Sequence, residues 1–304
     1  MSSVQVLLSS YNGEQYIQEQ LLSIVEQSYS DIDILVRDDG SSDQTASIIR
    51  QVMEHTPHIS LIEEENIGVI PSFFSVLARS NESMEYYCFC DQDDVWMQNK
   101  VASAVKHLAK YKSPAMVFTS TQLVDNNLSP IKIWPETPKR LPSFENALVE
   151  NIAVGATITM NKAARDLILS KLVHSERVMM HDWWVYLCIS AFGTVIYDPQ
   201  PSMYYRQHGN NVVGGNRSFI QKWTRKWKSY RKHAGRRLLY KQAEEFYRLY
   251  GDKLTVEKRE QLELFLAHRE TVVQRIQYLR KCRLYRQSWI DQKLFQFLIM
   301  IGYI

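Results

Sequence analysis

Cysteine is scarce in this chain: four residues among 304, Cys88, Cys90, Cys188 and Cys282. Their spacing is neither that of a zinc site nor that of a disulfide framework, which favours a reducing compartment and a cytoplasmic address. Long apolar runs are missing as well. No stretch reaches the roughly 20 apolar residues that span a bilayer. The N-terminus MSSVQVLLSSYNG has no basic leader and breaks its apolar run early, so it reads as a first strand and not as a signal peptide. Neither GxGxxG nor GxxxxGK followed by Ser or Thr occurs, which argues against a dinucleotide-binding dehydrogenase and a P-loop NTPase. Internal repeats and low-complexity tracts are also absent.

What is present is ample core material, with 45% hydrophobic and 12% aromatic residues. The net charge of +3 hides an asymmetry. Residues 1–216 hold 15 Lys+Arg against 25 Asp+Glu, whereas residues 217–304 hold 21 against 8. The sign change predicts a boundary near Asn216, between an acidic domain over 1–216 and a basic, aromatic-rich helical extension over 217–304.

Short apolar runs alternate with helical periodicity up to about residue 120. Strands are predicted at Val4–Ser9, Ile32–Arg37, Ile59–Ile62, Tyr86–Cys90 and Ala115–Thr119. Helices are predicted over Glu14–Gln27, Asp43–Glu54, Pro71–Arg79 and Met97–Tyr111. This is the pattern of an α/β domain with a mainly parallel sheet flanked by helices, whose ligands bind at the carboxyl ends of the strands. Polar segments fall at those ends: SSYNG after the first strand, DDGSSD after the second, ENIG after the third and DQDD after the fourth. In CFCDQDDVW, residues 88–96, three carboxylates crowd behind an apolar strand. Such crowding persists where a cation, a hydrogen-bonding ligand or water compensates it.

Taken together, SSYNGEQYI, VRDDGSSDQT, ENIGV and DQDD followed by VW resemble the inverting family 2 glycosyltransferases of the GT-A fold, over about residues 1–210. MMHDWWVYL at 179–187 and YYRQHGNNVVG at 204–214 resemble the members that transfer rhamnose from dTDP-rhamnose in bacterial surface-polysaccharide assembly. By that resemblance Asp93 binds a divalent cation bridging the donor phosphates, and Asp91 contacts the nucleotide's sugar or helps hold the site. Hard oxygen ligands suit Mg²⁺ or Mn²⁺. The competing reading makes Asp94 a cap for a helix beginning near Trp96, with the other carboxylates in solvent. Ser9, Tyr11 and Asp39 match positions that hold a pyrimidine base, Tyr11 by packing and Asp39 by accepting from N3–H, although Asp38 and Asp39 also suit a turn.

The resemblance further makes Asp182 the general base at the start of a helix running to about Phe192. Without it, Asp182 is a first-turn acid favoured by the helix dipole. Trp183 and Trp184 then wall the acceptor sugar or pack in the core. Arg206 is expected to pair with a phosphate and His208 to complete the metal shell, with Gly209–Gly215 as a lid. The chain departs from the processive members in lacking QxxRW and transmembrane helices, so it resembles a transferase adding one or a few residues.

Nine Lys and Arg residues between Lys222 and Lys241 are interleaved with Trp223, Trp227, Tyr230 and Tyr240, and the chain ends in LFQFLIMIGYI. That composition suits attachment to an anionic membrane surface without insertion, on the inner face of the cell membrane. The alternative partner for this face is the catalytic domain or a second subunit; nucleic acid is not expected, because no recognition fold accompanies the charge. The reading that results is a metal-dependent enzyme moving a sugar to a lipid-linked glycan. The rivals are a nucleotidyltransferase of related sheet architecture and a non-catalytic membrane scaffold.

Overall fold

The computed structural model describes residues 2–207 and 238–303, which form two compact units. The first comprises residues 2–137, 152–172 and 180–207; the second comprises 138–151, 173–179 and 238–303. The sequence boundary at 216 lies outside the described residues.

In the first unit the predicted strands form as β1 (Val4–Ser10), β2 (Ile32–Asp38), β3 (Ile59–Glu63), β4 (Tyr86–Cys90) and β6 (Ala115–Thr119). Helices α1 (Ile17–Val25), α2 (Thr45–His55), α3 (Val69–Ala78) and α4 (Lys100–Leu108) connect them; α1 and α4 are shorter at both ends than their periodicity indicates, and the ends of α2 and α3 differ from it by one or two residues. β9 (Thr159–Asn161) and β10 (Thr194–Asp198) complete a seven-stranded sheet of order β10-β6-β9-β4-β1-β2-β3. All neighbours are parallel except β9, which runs antiparallel to both β4 and β6. The parallel strands are buried on both faces and accordingly read as continuous apolar runs: every residue of β4 and β6 is buried.

The chain reverses its direction of travel across the sheet at β1, which has β4 on one side and β2 on the other. A crevice opens at such a switch point, beyond the carboxyl ends of the strands. A second sheet, of order β5-β11-β7-β8, is built from β5 (Val95–Trp96), β7 (Thr121–Val124), β8 (Pro130–Trp134) and β11 (Met203–Arg206). Its consequence for the site is direct. Residues 91–94 leave the large sheet at Cys90 and enter the small one at Val95, where Met203 and Tyr204 pair with Trp96 and Val95. The acidic loop is therefore held at both ends. No helix starts near Trp96; α4 begins at Lys100, so Asp94 is not a helix cap.

Two further helices, α6 (Lys162–Leu169) and α7 (His181–Phe192), belong to this unit. In α7 every residue from His181 to Ala191 is buried, as an apolar helix with no polar face requires. Gly193 ends it where the backbone passes the β6 entrance: a Cβ there would lie 1.9 Å from the Pro114 carbonyl oxygen.

The second unit is helical. It contains α5 (Phe144–Ala147), α8 (Leu238–Tyr250), α9 (Val256–Leu266), α10 (Val272–Lys281) and α11 (Trp289–Met300). Phe144, Phe246, Tyr250, Leu262 and Phe265 form its centre, with the Phe144 and Phe246 rings 5.7 Å apart. The C-terminal apolar run is helical from Trp289, and Phe295, Leu298 and Ile299 face inward. No helix among the described residues is long and apolar enough to cross a membrane.

Because the β6–β10 approach leaves no room for a side chain at Gly193, Gly193→Ala should destabilise the protein by about 1–3 kcal/mol, as overpacking does. A thermal melt checks this; an unchanged Tm would mean that β10 does not lie against Pro114 as described.

Candidate active site

The site is assembled by loops that tie to one another. Gln92, in the acidic loop, accepts from the Tyr11 N–H at 2.8 Å and donates to the Tyr11 carbonyl at 3.0 Å, so it reads the backbone after β1 as a third strand would. Gly13 makes this approach feasible: a Cβ there would fall 2.3 Å from Gln92 Oε1. Asn12, at a positive φ of 49°, accepts from the Ser42 N–H, and its own N–H donates to Ser41 Oγ at 2.9 Å. Asp38 is the turn residue of the adjacent pair. It accepts from Ser10 Oγ and from both the N–H and the hydroxyl of Ser41.

Asp39 is oriented differently. Its Oδ1 pairs with Arg37 and accepts from the Ile67 N–H at 2.9 Å, and its Oδ2 accepts from the Gly68 N–H at 3.0 Å. Arg37 is itself buried, bonded also to Ser72 Oγ, the Glu65 carbonyl and Glu64. Ser9 Oγ lies 2.6 Å from Ser72 Oγ, which brings Ser9 into the same network. Tyr11 stands at the mouth, 49% exposed, its ring available for packing.

At the end of β4 the carboxylates repel one another. Burial pushes Asp91 up to about 7, with the Asp93 charge and then the Asp182 charge adding to it and Lys100 opposing. Asp94 is buried, and burial plus Asp93 and Asp91 hold it well above the usual carboxylate range. Its Oδ1 accepts from the Arg206 N–H at 3.2 Å, while its Oδ2 has no hydrogen-bond partner among the described residues. The influence of Asp182 on Asp91 places the helix-start carboxylate within electrostatic reach of the acidic loop.

Two buried cations face this charge, and the sequence argument assigned neither this task. Lys100 is fully enclosed, donating from Nζ to the Ala156 carbonyl at 2.9 Å and to Ser202 Oγ at 3.3 Å, with Nζ 4.5 Å from the Trp96 ring centroid. Burial lowers it to about 8, against the upward pull of Asp94 and Asp91. Arg206 corrects an expectation. Its guanidinium is buried and committed to the Asp93 carbonyl, the Asn126 carbonyl and Glu19, and it lies over the Tyr16 ring. It therefore clamps the acidic loop from behind and does not face a phosphate.

Asp182 occupies the first turn of α7, where its Oδ1 accepts from the Trp183 N–H at 2.6 Å. Gly155 leaves space beside it: a Cβ there would lie 3.3 Å from Asp182 Oδ2 and 3.1 Å from His181 Nε2. His181 is buried, stacked on Phe73 at 3.8 Å, with Phe89 at its edge. Neither ring nitrogen has a hydrogen-bond partner, and burial lowers its pKa to about 3, so it is neutral. Trp184 has no exposed surface and is a core residue, not an acceptor wall; Trp183, at 9%, keeps an edge near the surface. His208 and the Gly209–Gly215 segment lie outside the described residues.

Among the described residues no three His, Cys, Asp or Glu side chains close on one point as a ready metal cluster. The donor set nevertheless fits a hard divalent ion. Oxygen donors are concentrated in one loop, two of the carboxylates are destabilised as anions by burial and then by their neighbours, and one buried carboxylate oxygen lacks a donor among the described residues.

A mainly parallel sheet with an acidic loop at its switch point, tied to the loops after β1 and β2 and flanked by helices, has the architecture of the GT-A glycosyltransferases. The chain belongs to glycosyl transferase family 2, whose model matches residues 5–172. It is 30% identical over 233 residues to the dTDP-rhamnosyl transferase RfbG of Shigella flexneri, covering 72% of this chain and 77% of that protein. It is 25% identical over 230 residues to a putative teichuronic acid biosynthesis glycosyltransferase, TuaG, of Bacillus subtilis, covering 75% and 84%. Its fold is similar to that of S. aureus TarS in complex with UDP-GlcNAc, with a TM-score of 0.57 and 12% identity over 99% of this chain and 89% of that chain. A mannosyltransferase from Pyrobaculum calidifontis, solved with GDP-Man and Mn²⁺, gives a TM-score of 0.53 at 18% identity, covering 99% and 86%.

Two expected outcomes follow from the geometry. Gly13→Ala should displace Gln92 and release the clasp between the first and fourth loops. Two hydrogen bonds at about 1 kcal/mol each correspond to a fall in Tm of several degrees, and the loosened loop should raise donor KM, with Gln92→Ala giving the same two changes. Parallel kinetics and melts on both variants check this, and an unaltered KM in both would remove the clasp from the site.

The second concerns acid. An unfolded His181 takes a proton near 6.5 and the native one near 3. Between those values the unfolded state binds more protons, so stability present above 6.5 is lost as pH falls toward 3. His181→Phe keeps the stack and removes the proton site. Its Tm should therefore fall less than the parent's between pH 7 and pH 4.5, and equal falls would contradict the burial of a neutral imidazole.

Proposed function

We propose that the chain is a metal-dependent, inverting transferase that moves L-rhamnose from dTDP-β-L-rhamnose to a hydroxyl of a lipid-linked glycan, in surface-polysaccharide assembly at the inner membrane face. The observation that carries this reading is the packing of α7 on β4: His181, the residue before Asp182, lies 5.3 Å from the ring of Phe89 in the strand that ends in the acidic loop, which brings the helix-start carboxylate to that loop. One carboxylate cluster suits a cation and a diphosphate, and a separate carboxylate nearby suits the acceptor's proton. The resemblance to a dTDP-rhamnosyl transferase supports the choice of donor.

In this reading the thymine packs on Tyr11 and its N3–H donates to Asp39. Arg37 and the Ile67 and Gly68 amides hold that carboxylate in one orientation, and Oδ2 retains acceptor capacity. Ser9 borders the same pocket through Ser72. Asp93, with His208 from the segment that follows β11, would hold Mg²⁺ or Mn²⁺, and Asp91 the donor's sugar side. Bound there, the ion would neutralise charge building on the departing diphosphate. Arg206 and Lys100 keep the loop in place for both.

Asp182 takes the acceptor hydroxyl's proton as its oxygen attacks the anomeric carbon. The bond to dTDP breaks on the opposite face, the configuration inverts to an α-rhamnoside, and no covalent enzyme intermediate forms. The hydroxyl proton becomes acidic only as the new bond forms, so an ionised carboxylate at neutral pH suffices. The Trp183 edge borders the acceptor side. Residues 217–304, basic and aromatic, bring the enzyme to an anionic membrane where lipid-linked acceptors reside.

A donor panel scored for nucleoside diphosphate release tests the assignment: dTDP-rhamnose should turn over and lose turnover on chelation, and preference for another nucleotide sugar would overturn the donor. Asp93→Ala should abolish metal-dependent turnover in a folded protein. Asp182→Asn should lower kcat by about 100-fold or more with donor affinity retained. A loss confined to donor Kd would move Asp182 to the donor site and leave the base unassigned.

A further inference from the structure

The helical second unit carries an open cavity of about 430 Å³ on its own surface. Four cations line it, Lys139, Arg140, Arg283 and Arg286, together with Tyr285 and Trp289. No carboxylate is among its lining residues, and no ion pair joins Lys139, Arg140 or Arg283 to a carboxylate among the described residues.

The cavity is built and not merely a scatter of surface charge. The Arg140 guanidinium lies flat over Tyr285, 3.6 Å from its ring centroid, and Tyr285 is fixed by donating to the Leu141 carbonyl at 2.7 Å. The Arg140 backbone is pinned on both sides by Gln287, which accepts its N–H at 2.9 Å and donates to its carbonyl at 3.0 Å. A stacked guanidinium is pre-ordered and presents its N–H edge to a planar or tetrahedral oxyanion. Trp289 and Gln292, at the start of α11, complete the lining of the same cavity.

Beside these cations lies apolar surface that the fold leaves uncovered. Phe295, Leu298 and Ile299 supply the buried face of α11, yet its opposite side carries Ile290, Phe297 and Ile301, 42–56% exposed, and Trp289 at 70%. α10, joined to α11 by the Arg275 bond to the Met300 carbonyl, adds exposed Val272, Val273 and Ile276. A tryptophan and aliphatic side chains next to a cationic pocket with no carboxylate in its lining match an interface with phosphate above and hydrocarbon below. A second copy of the chain matches it poorly: a two-fold contact on this face would set the same cations against themselves.

We propose that this cavity binds the phosphates of anionic phospholipid headgroups, with Trp289 and the outer face of α11 seated in the interfacial layer. The proposal rests on the membrane-surface reading of residues 217–304 and gives it a specific site, separate from the basic run Lys222–Arg237 that lies outside the described residues.

The test uses the full chain and co-sedimentation with vesicles rich in phosphatidylglycerol or made of phosphatidylcholine alone. Each cation near such a surface contributes about fivefold, so the triple variant Lys139→Gln, Arg140→Gln, Arg283→Gln should partition about 100-fold more weakly onto the anionic vesicles. It should keep its circular dichroism and its turnover on a short soluble acceptor. Brominated lipid should quench a fluorescence component that disappears in Trp289→Phe. Wild-type partitioning by the triple variant, or identical quenching in Trp289→Phe, would overturn the proposal. If Arg231→Gln, Lys232→Gln, Arg236→Gln, Arg237→Gln abolished binding while the triple variant bound normally, the membrane reading would stand and this site would fall. Inorganic phosphate protecting the cavity as fully as vesicles do would make it a free-anion site. A dimer that Trp289→Ser dissociates, with vesicle binding unchanged, would assign the face to a second copy; either result refutes docking.

Discussion

The first unit is organised around one electrostatic problem, the placement of Asp91, Asp93 and Asp94 at the end of a fully buried strand. Burial first, and then neighbouring carboxylates, disfavour the anions of Asp91 and Asp94. The protein answers with two buried cations from distant parts of the chain. Lys100 approaches from the first turn of α4 and Arg206 from the last residue of β11. Each is held by carbonyl oxygens as well as by charge, so the compensation is set in position and not merely near. The small sheet exists to make that possible: β5 is the exit of the acidic loop, and β11 pairs with it while delivering Arg206.

This arrangement separates carboxylates that maintain the scaffold from those left for ligands. Asp38 receives three protein donors and Glu19 receives Arg206, whereas Asp39, oriented by three donors of its own, keeps acceptor capacity on Oδ2 for a base. Asp94 receives one donor on one oxygen and none on the other. A carboxylate saturated by amides and guanidinium groups is stable as an anion in the folded protein alone. One left short is stable as an anion only when something else arrives. The imbalance is a general mark of a site built for a charged partner, because a structural network left half satisfied is costly without return.

The alternation of apolar runs and helical periods located β1 to β4, β6 and their helices to within a few residues, because parallel strands buried on both faces leave an unambiguous pattern. The polar loops at their ends were equally legible. The second sheet, and β9 of the first, were not. β5 has two residues, β9 has three, and β11 pairs with strands more than 75 positions away, so no local period marks them. Arg206 was read as a phosphate ligand because a polar cluster after a strand looks the same whether its guanidinium points out or in. Lys100 was missed for a related reason: a single lysine at a helix start ordinarily faces water. Arg37 did leave a signal, as the one cation inside the apolar strand IDILVRD. Trp183 and Trp184 are adjacent, but burial divides them, and only the helix packing decides which one keeps an edge.

His181 shows how the same economy reaches the second carboxylate. An imidazole stacked on Phe73 with no partner for either nitrogen forfeits hydrogen bonds that water would supply. Its neutrality has a local benefit, however. A protonated imidazole one residue from Asp182 would be the natural partner of that carboxylate and would compete for the lone pair that must accept the acceptor's proton. Burial among Phe73 and Phe89 keeps the ring uncharged throughout the neutral range. Asp182 accepts from the Trp183 amide on Oδ1, and Gly155 keeps a side chain away from Oδ2, which a Cβ there would approach to 3.3 Å. The aromatic packing behind α7 thus acts on the chemistry by withholding a positive charge, just as Lys100 and Arg206 act on the acidic loop by supplying one.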